Sequence, residues 1–321
     1  MHAIQMGPNF LALRAITQYP LKYFLQNRVK KFEQYDDSSG TELEGSKKYN
    51  SNDMSNLFNL STKNADTEKK IERFMVGAYL LKILQSMNYF EVEKKNDASL
   101  TEEEVYIGML LSHFVGVAEN NSHFICKSPL SSHSIRNMPD IIKKNFEPDN
   151  IGCGINATLA FFNHSCNPNT IKIQRGRKTL LIASEVIRKG EDICDNYGAL
   201  FYTSDKAQRL QSLGFSCACG PCAGDWPQYI HLSDKIGDPG GGIPETGAIL
   251  ATRQQLERGR AANSLMARMG AELGAGQLSR VLGLGAEYRG LLESLVTQPH
   301  RFYYNCYIIM FYCYWIKYGN V

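Results

Sequence analysis

The chain has 321 residues, 43% of them apolar and 21% charged, a balance that suits one or two hydrophobic cores and excludes a disordered or fibrous protein. With 35 Lys and Arg against 32 Asp and Glu the net charge is only +3, too little to mark a phosphate-binding face, so a protein or peptide partner is expected and a direct nucleic-acid partner is not. Nine cysteines, with no secretory signal over residues 1–17, point to a reducing compartment, cytoplasmic and/or nuclear, and to metal rather than disulfides.

Taken in chain order, residues 10–32 mix apolar positions with Arg14, Lys22, Arg28 and Lys30 around Pro20, which predicts two short helices broken before the proline. Residues 36–56 are Ser, Gly, Asn, Asp and Lys with few large apolar side chains and read as a loop. Ile71, Phe74, Met75, Ala78, Leu81 and Leu84 follow helical spacing, and Thr101 with Glu104 forms a capping-box signature ahead of Val105, Met109, Leu110 and Phe114. From Ser122 the period changes. The runs 123–127, 170–174, 179–183 and 191–195 are short and β-rich, separated by turns such as Arg175-Gly176-Arg177 and Arg188-Lys189-Gly190, and they predict a small β core. A glycine- and proline-rich stretch at 237–247 precedes a helical pattern over 249–295. Residues 302–316 gather Tyr303, Tyr304, Tyr307, Tyr312, Tyr314 and Trp315 among Ile, Met, Phe and Cys. A spanning helix needs about 20 apolar residues, so this run is expected to pack on the helical module rather than cross a membrane, with a membrane-associated adaptor as the weaker alternative.

Three local motifs carry chemistry: Asn163-His164-Ser165-Cys166-Asn167-Pro168-Asn169, Asp195-Asn196-Tyr197-Gly198, and Cys217-x-Cys219-x-x-Cys222. The last supplies three thiolates within six residues, and tetrahedral zinc held by protein alone needs a fourth ligand, which spacing does not choose.

In this order NHSCNPN, DNYG and CxCxxC resemble the second half of a SET domain of the SET and MYND domain family of protein lysine methyltransferases, nearest its member-four-like subgroup, over roughly residues 10–227 and weakly on to 295. The resemblance implies an α+β fold. A small SET-type β core with a zinc-bound post-SET segment (122–227) follows N-terminal helices (1–121) and precedes a helical, tetratricopeptide-like module (228–298) and an aromatic-rich tail (299–321). It implies S-adenosylmethionine-dependent transfer of a methyl group to the lysine of a protein or peptide substrate, with a possible protein partner for the helical module. Cys166 becomes the fourth ligand of a structural Zn²⁺ by its match to the family's NHSC cysteine. Tyr197 matches the catalytic tyrosine, and Asn163, His164, Tyr197, Phe215 and Ser131 match cofactor-contacting positions. The same comparison implies that Asn163 and Tyr197, 34 residues apart, meet in a knot-like crossing.

Departures from the pattern are also expected to matter. No cysteine precedes Cys126, so no MYND finger is present, and the glycine-rich SET loop is not found, which reads as an N-terminally incomplete domain. Ser131 stands where the family has an asparagine, and one hydroxyl does not present an amide's paired donor and acceptor. The alternative reading is therefore a catalytically inactive, zinc-stapled interaction module or fragment.

Overall fold

The computed structural model describes residues 7–28, 55–60, 62, 65–90, 99–127, 149–176, 178–234 and 253–319. Ser131, most of the predicted loop (36–54) and the glycine- and proline-rich stretch at 237–247 fall outside them. The molecule divides into two compact units: Met1–Ile125 with Gly152–Phe161, and Cys126–Ile151 with Phe162–Val321.

In the first unit, helices α1 (Phe10–Thr17) and α2 (Leu21–Gln26) flank Pro20, whose ring-locked φ of −68° opens the second helix. A single turn, α3 (Ser55–Phe58), precedes the two long helices α4 (Thr67–Ser86) and α5 (Glu102–Asn121). The start of α5 is the predicted capping box, with Thr101 and Glu104 each accepting the other's backbone N–H. The face that α4 buries coincides with its apolar spacing only at Leu81 and Leu84. Ile71, Phe74 and Met75 are 59%, 64% and 64% exposed, whereas Arg73, Val76, Gly77, Leu80, Leu81 and Leu84 are buried. The reason is close approach: a Cβ on Gly77 would lie 2.9 Å from the Ser112 backbone nitrogen, so the two helices touch along the glycine side. Arg73 is tolerated in that line because its Nε donates to Glu119 (2.7 Å) and its Nη1 to the Thr62 carbonyl (3.0 Å). Strand β1 (Ser122–Lys127) pairs with β2 (Asp149–Ile155).

The second unit holds the remaining strands. Two short ones, β3 (Asn163–His164) and β6 (Cys194–Asp195), run parallel with Asn163 opposite Cys194 and His164 opposite Asp195. Between them in sequence lies the antiparallel hairpin of β4 (Thr170–Arg175) and β5 (Lys178–Ala183), turned at Gly176 with φ +59°. Helix α6 (Lys206–Leu213) opens on an Asp205–Gln208 capping box and ends at Gly214 in the left-handed region, and α7 (Gly220–Ala223) is one turn over the cysteines.

Helices α8 (Arg253–Gly274), α9 (Leu278–Leu292) and α10 (Arg301–Tyr318) follow. Ile171 and Ile173 of β4 share one buried cluster with Met269 of α8, Val281, Tyr288 and Leu292 of α9, and Cys306, Met310 and Trp315 of α10. The aromatic-rich run is thus the helix α10, packed on α9 and β4. No helix of the described residues is long and apolar enough to cross a membrane. Cys306 and Cys313 are buried apolar positions of α10.

Candidate active site and metal centre

The site is held together by asparagines. Asn169 accepts the Cys194 N–H on its Oδ1 (2.8 Å) and donates from Nδ2 to the Asp192 carbonyl (2.8 Å), while the Thr170 hydroxyl donates to the Cys194 carbonyl (2.7 Å). These bonds place β6 beside β3. Asn196 then closes the turn that follows, donating to the Ser165 and Ala199 carbonyls (2.9 and 3.1 Å) and accepting the Gly198 N–H (2.8 Å). Gly198 takes φ +108°, a conformation that favours glycine, and so the backbone can reverse directly after Tyr197. Beneath, Lys172 of β4 donates to Asp195 (2.5 Å) and to the Asn196 carbonyl (3.2 Å). Replacing Asn196 by alanine removes three hydrogen bonds at once, two of them part-buried. It is expected to cost about 2–3 kcal/mol, read as a lower urea midpoint; an unchanged midpoint would show that the turn holds without its side chain.

His164, Tyr197 and Phe215 meet in this frame, and Asn163 precedes His164 on β3. The Tyr197 N–H donates to His164 Nδ1 (3.1 Å), the Tyr197 hydroxyl donates to the Phe162 carbonyl (2.6 Å), and the His164 ring lies 5.1 Å from that of Tyr197 and 6.1 Å, edge-on, from that of Phe215. Tyr197 remains 46% exposed. Asn163 is exposed too, and its amide makes no hydrogen bond among the described residues. Burial pushes the His164 pKa down to about 4, against the pull of Asp195 and with help from Arg209 and Lys172, so the imidazole is neutral. Since Nδ1 accepts, the ring proton sits on Nε2, which lies 3.3 Å from Cys166 Sγ and donates to it. Burial, with Asp195 and Cys194 nearby, raises the Tyr197 pKa, keeping its hydroxyl protonated.

Three elements deliver the cysteines. Cys166 follows β3 and is wholly buried, Cys217 and Cys219 come from the stretch after α6, and Cys222 from α7. Their four sulfurs lie within 4.8 Å of one another, with Cys166 and Cys222 at 3.6 Å. Four thiolates at ~2.3 Å from one tetrahedral ion would lie ~3.8 Å apart, so the donor set and its spacing fit a closed zinc site. Burial opposes ionisation of the Cys219 thiol, but the N–H groups of Cys166 and Cys222 and the neighbouring thiols outweigh it and bring the pKa down to about 7. Burial pushes Cys217 up to about 11 and Cys166 higher still. Cys219 therefore ionises more readily than Cys217 or Cys166, and a bound cation would displace protons from those two.

The SET domain family matches residues 30–198, more than half of the chain, ending on the glycine of the DNYG turn. The chain belongs to the SET domain family. It is similar to the N-lysine methyltransferase SMYD2-B of Danio rerio, at 34% identity over 99 residues, which is 29% of this chain and 23% of that protein. A SET and MYND domain-containing protein of Dictyostelium discoideum is 35% identical over 95 residues, 28% of this chain and 17% of its own length. The human N-lysine methyltransferase SMYD2 is 36% identical over 78 residues, 24% and 18% respectively. The chain thus spans less than a quarter of the length of each of these relatives.

Cys217, Cys219 and Cys222 lie beyond the matched SET span, and it is their meeting with Cys166 that joins them to it. Ser131 falls within the span but outside the described residues, so no geometry attaches to it. Sequence reasoning missed Lys172 and Arg209. In sequence, Lys172 is one alternating position of a β-rich run and Arg209 one polar residue of an ordinary helix, and neither carries a motif.

Proposed function

We propose that this SET-family chain is a protein-lysine N-methyltransferase that uses S-adenosylmethionine. The observation that carries the reading is the contact of a neutral His164 with a half-exposed, protonated Tyr197 beside the parallel β3–β6 pair, with Asn163 exposed next to His164 on β3. When bound, S-adenosylmethionine supplies an activated sulfonium methyl for in-line transfer. Positioning is then the main task of the protein. The Asn163 amide offers two donors and an acceptor for the polar end of the cofactor. Tyr197, with no phenolate to act as a base, orients the incoming amine through its hydroxyl, while the rings of Tyr197 and Phe215 narrow the approach and disfavour a charged ammonium. His164 fixes the Tyr197 backbone and, through Nε2, ties it to Cys166.

In the same reading Cys166, Cys217, Cys219 and Cys222 hold a structural zinc ion with four protein ligands, which leaves no open position for chemistry. Such a thiolate site suits the cytoplasm or the nucleus. Helices α8 and α9, joined by a short turn at Gly276, form the part of the C-terminal module that we assign as tetratricopeptide-like and able to bind a protein partner.

A second reading, a non-catalytic zinc-stapled interaction module, is supported by the Tyr197 hydroxyl being engaged by the Phe162 carbonyl and by serine at position 131. Calorimetric titration of the zinc-loaded chain with S-adenosylmethionine separates the two. Binding in the micromolar range, about −8 kcal/mol, is expected for the enzyme. No heat of binding would leave the module reading standing alone.

A further inference from the structure

Among the described residues Arg209 is the largest side chain with no solvent exposure. It sits in α6, whose start is set by the Asp205–Gln208 capping box, and it points toward the cysteines rather than outward. Its Nη1 donates to the Ser204 carbonyl at 2.7 Å, and its Nη2 lies 3.5 Å from the Pro221 carbonyl and 3.8 Å from Cys222 Sγ. Its Nε has no partner, and no carboxylate among the described residues pairs with it. An arginine stays charged under all ordinary conditions, and a buried charge with no counter-charge is strongly disfavoured. The cysteine cluster is a source of negative charge within its reach, Cys222 Sγ lying 3.8 Å from Nη2. Four thiolates on one divalent cation carry two excess negative charges, which equally need a counter-charge in a buried setting.

Building on the zinc reading above, we infer that Arg209 is the counter-ion and positioning residue of the metal centre: its guanidinium offsets part of the thiolate charge and holds Cys222, with the α7 turn that bears it, in the ligating orientation. Arginine suits this role better than lysine, because one planar fork reaches a carbonyl and a sulfur of the same turn together. The cost of burying Arg209 is thereby tied to metal occupancy, so α6, α7 and the ion order together.

The test compares the parent with Arg209→Met, which keeps the apolar stem and drops the charge, and with Arg209→Lys, which keeps the charge. Zinc affinity is measured by chelator competition, and the thiolate-to-cobalt absorption bands of the Co²⁺-loaded proteins report the ligand geometry. The expected result is a tenfold to hundredfold weaker zinc affinity and altered cobalt bands for Arg209→Met, with most of the affinity retained by Arg209→Lys. Met equal to the parent with Lys impaired would show a packing role and overturn the inference. If Arg209→Met folds only with added zinc, the free zinc at half folding replaces the chelator reading, and a midpoint like the parent's would overturn it equally. If Arg209→Met does not fold at any zinc level, a parent-like Arg209→Lys supports the charge role and a Lys variant that also fails overturns it. A parent chain that takes up no zinc would instead remove the zinc reading itself, an outcome distinct from either variant's behaviour.

Discussion

Cys219→Ser is expected to empty the metal centre, with zinc content falling from roughly one ion per chain to near none. Against burial, hydrogen bonds from neighbouring N–H groups and thiols bring the Cys219 thiol below the usual cysteine range, its sulfur receives the Cys166 N–H at 3.4 Å, and it is the N-cap residue of the α7 turn. A serine hydroxyl in its place has no comparable tendency to ionise. Loss of the ion would leave residues 215–226 with little to order them, because Trp226 against Phe201 is their main apolar contact and it gathers around Cys166 and Cys222. Metal analysis by mass spectrometry reads the first effect and limited proteolysis the second. Cleavage should appear within this segment in the variant and not in the parent, while unchanged zinc content would rule out the four-cysteine assignment. The hydrogen bonds from Tyr197 N–H to His164 and from His164 to Cys166 carry the disturbance onward, so any methyl transfer should fall as well.

The second large effect is catalytic. Under the methyltransferase proposal, Tyr197→Phe should slow transfer to a lysine substrate by about 100-fold or more, a scale typical of removing one positioned polar group from a reacting centre. The fold should hardly notice. The hydroxyl makes a single bond, to the Phe162 carbonyl, on a half-exposed side chain, and its loss should cost about 1 kcal/mol or less. Unaltered zinc content and cofactor heat in the same variant would assign the loss to the hydroxyl. A variant as fast as the parent would remove Tyr197 from the mechanism.

Much of the local structure was legible in the chain. Pro20 marks the break between α1 and α2, Thr101 and Glu104 announce the start of α5, and Gly176 turns the β4–β5 hairpin where a glycine was needed between two β-branched runs. Each signal acts within a few residues, so sequence alone carries it. The buried face of α4 was legible only at its C-terminal end, at Leu81 and Leu84. Its apolar residues ring most of the helix, and which side is covered depended on Gly77 allowing α5 to come close and on Glu119 neutralising Arg73, both of them contacts with residues more than 30 positions away. The strand at 191–195 was expected to be longer than the two-residue β6; ahead of Cys194 the Glu191 N–H goes to the Arg188 carbonyl and the Asp192 carbonyl to the Asn169 side chain instead of to a ladder.

The sequence by itself determined the inventory of this protein: three thiolates at metal-ligand spacing, an asparagine–histidine pair, a tyrosine before a glycine, and helices whose caps are written beside them. Tertiary structure decided what meets. It placed Cys166 within ligating range of three cysteines more than 50 residues on, set Tyr197 against His164, enclosed Arg209 behind the thiolates, and laid the aromatic helix α10 on β4. Caps, turns and ligand spacings are short-range and follow from the chemistry of adjacent residues. Charge compensation and ring packing depend on distances through space, and only the closed chain sets those.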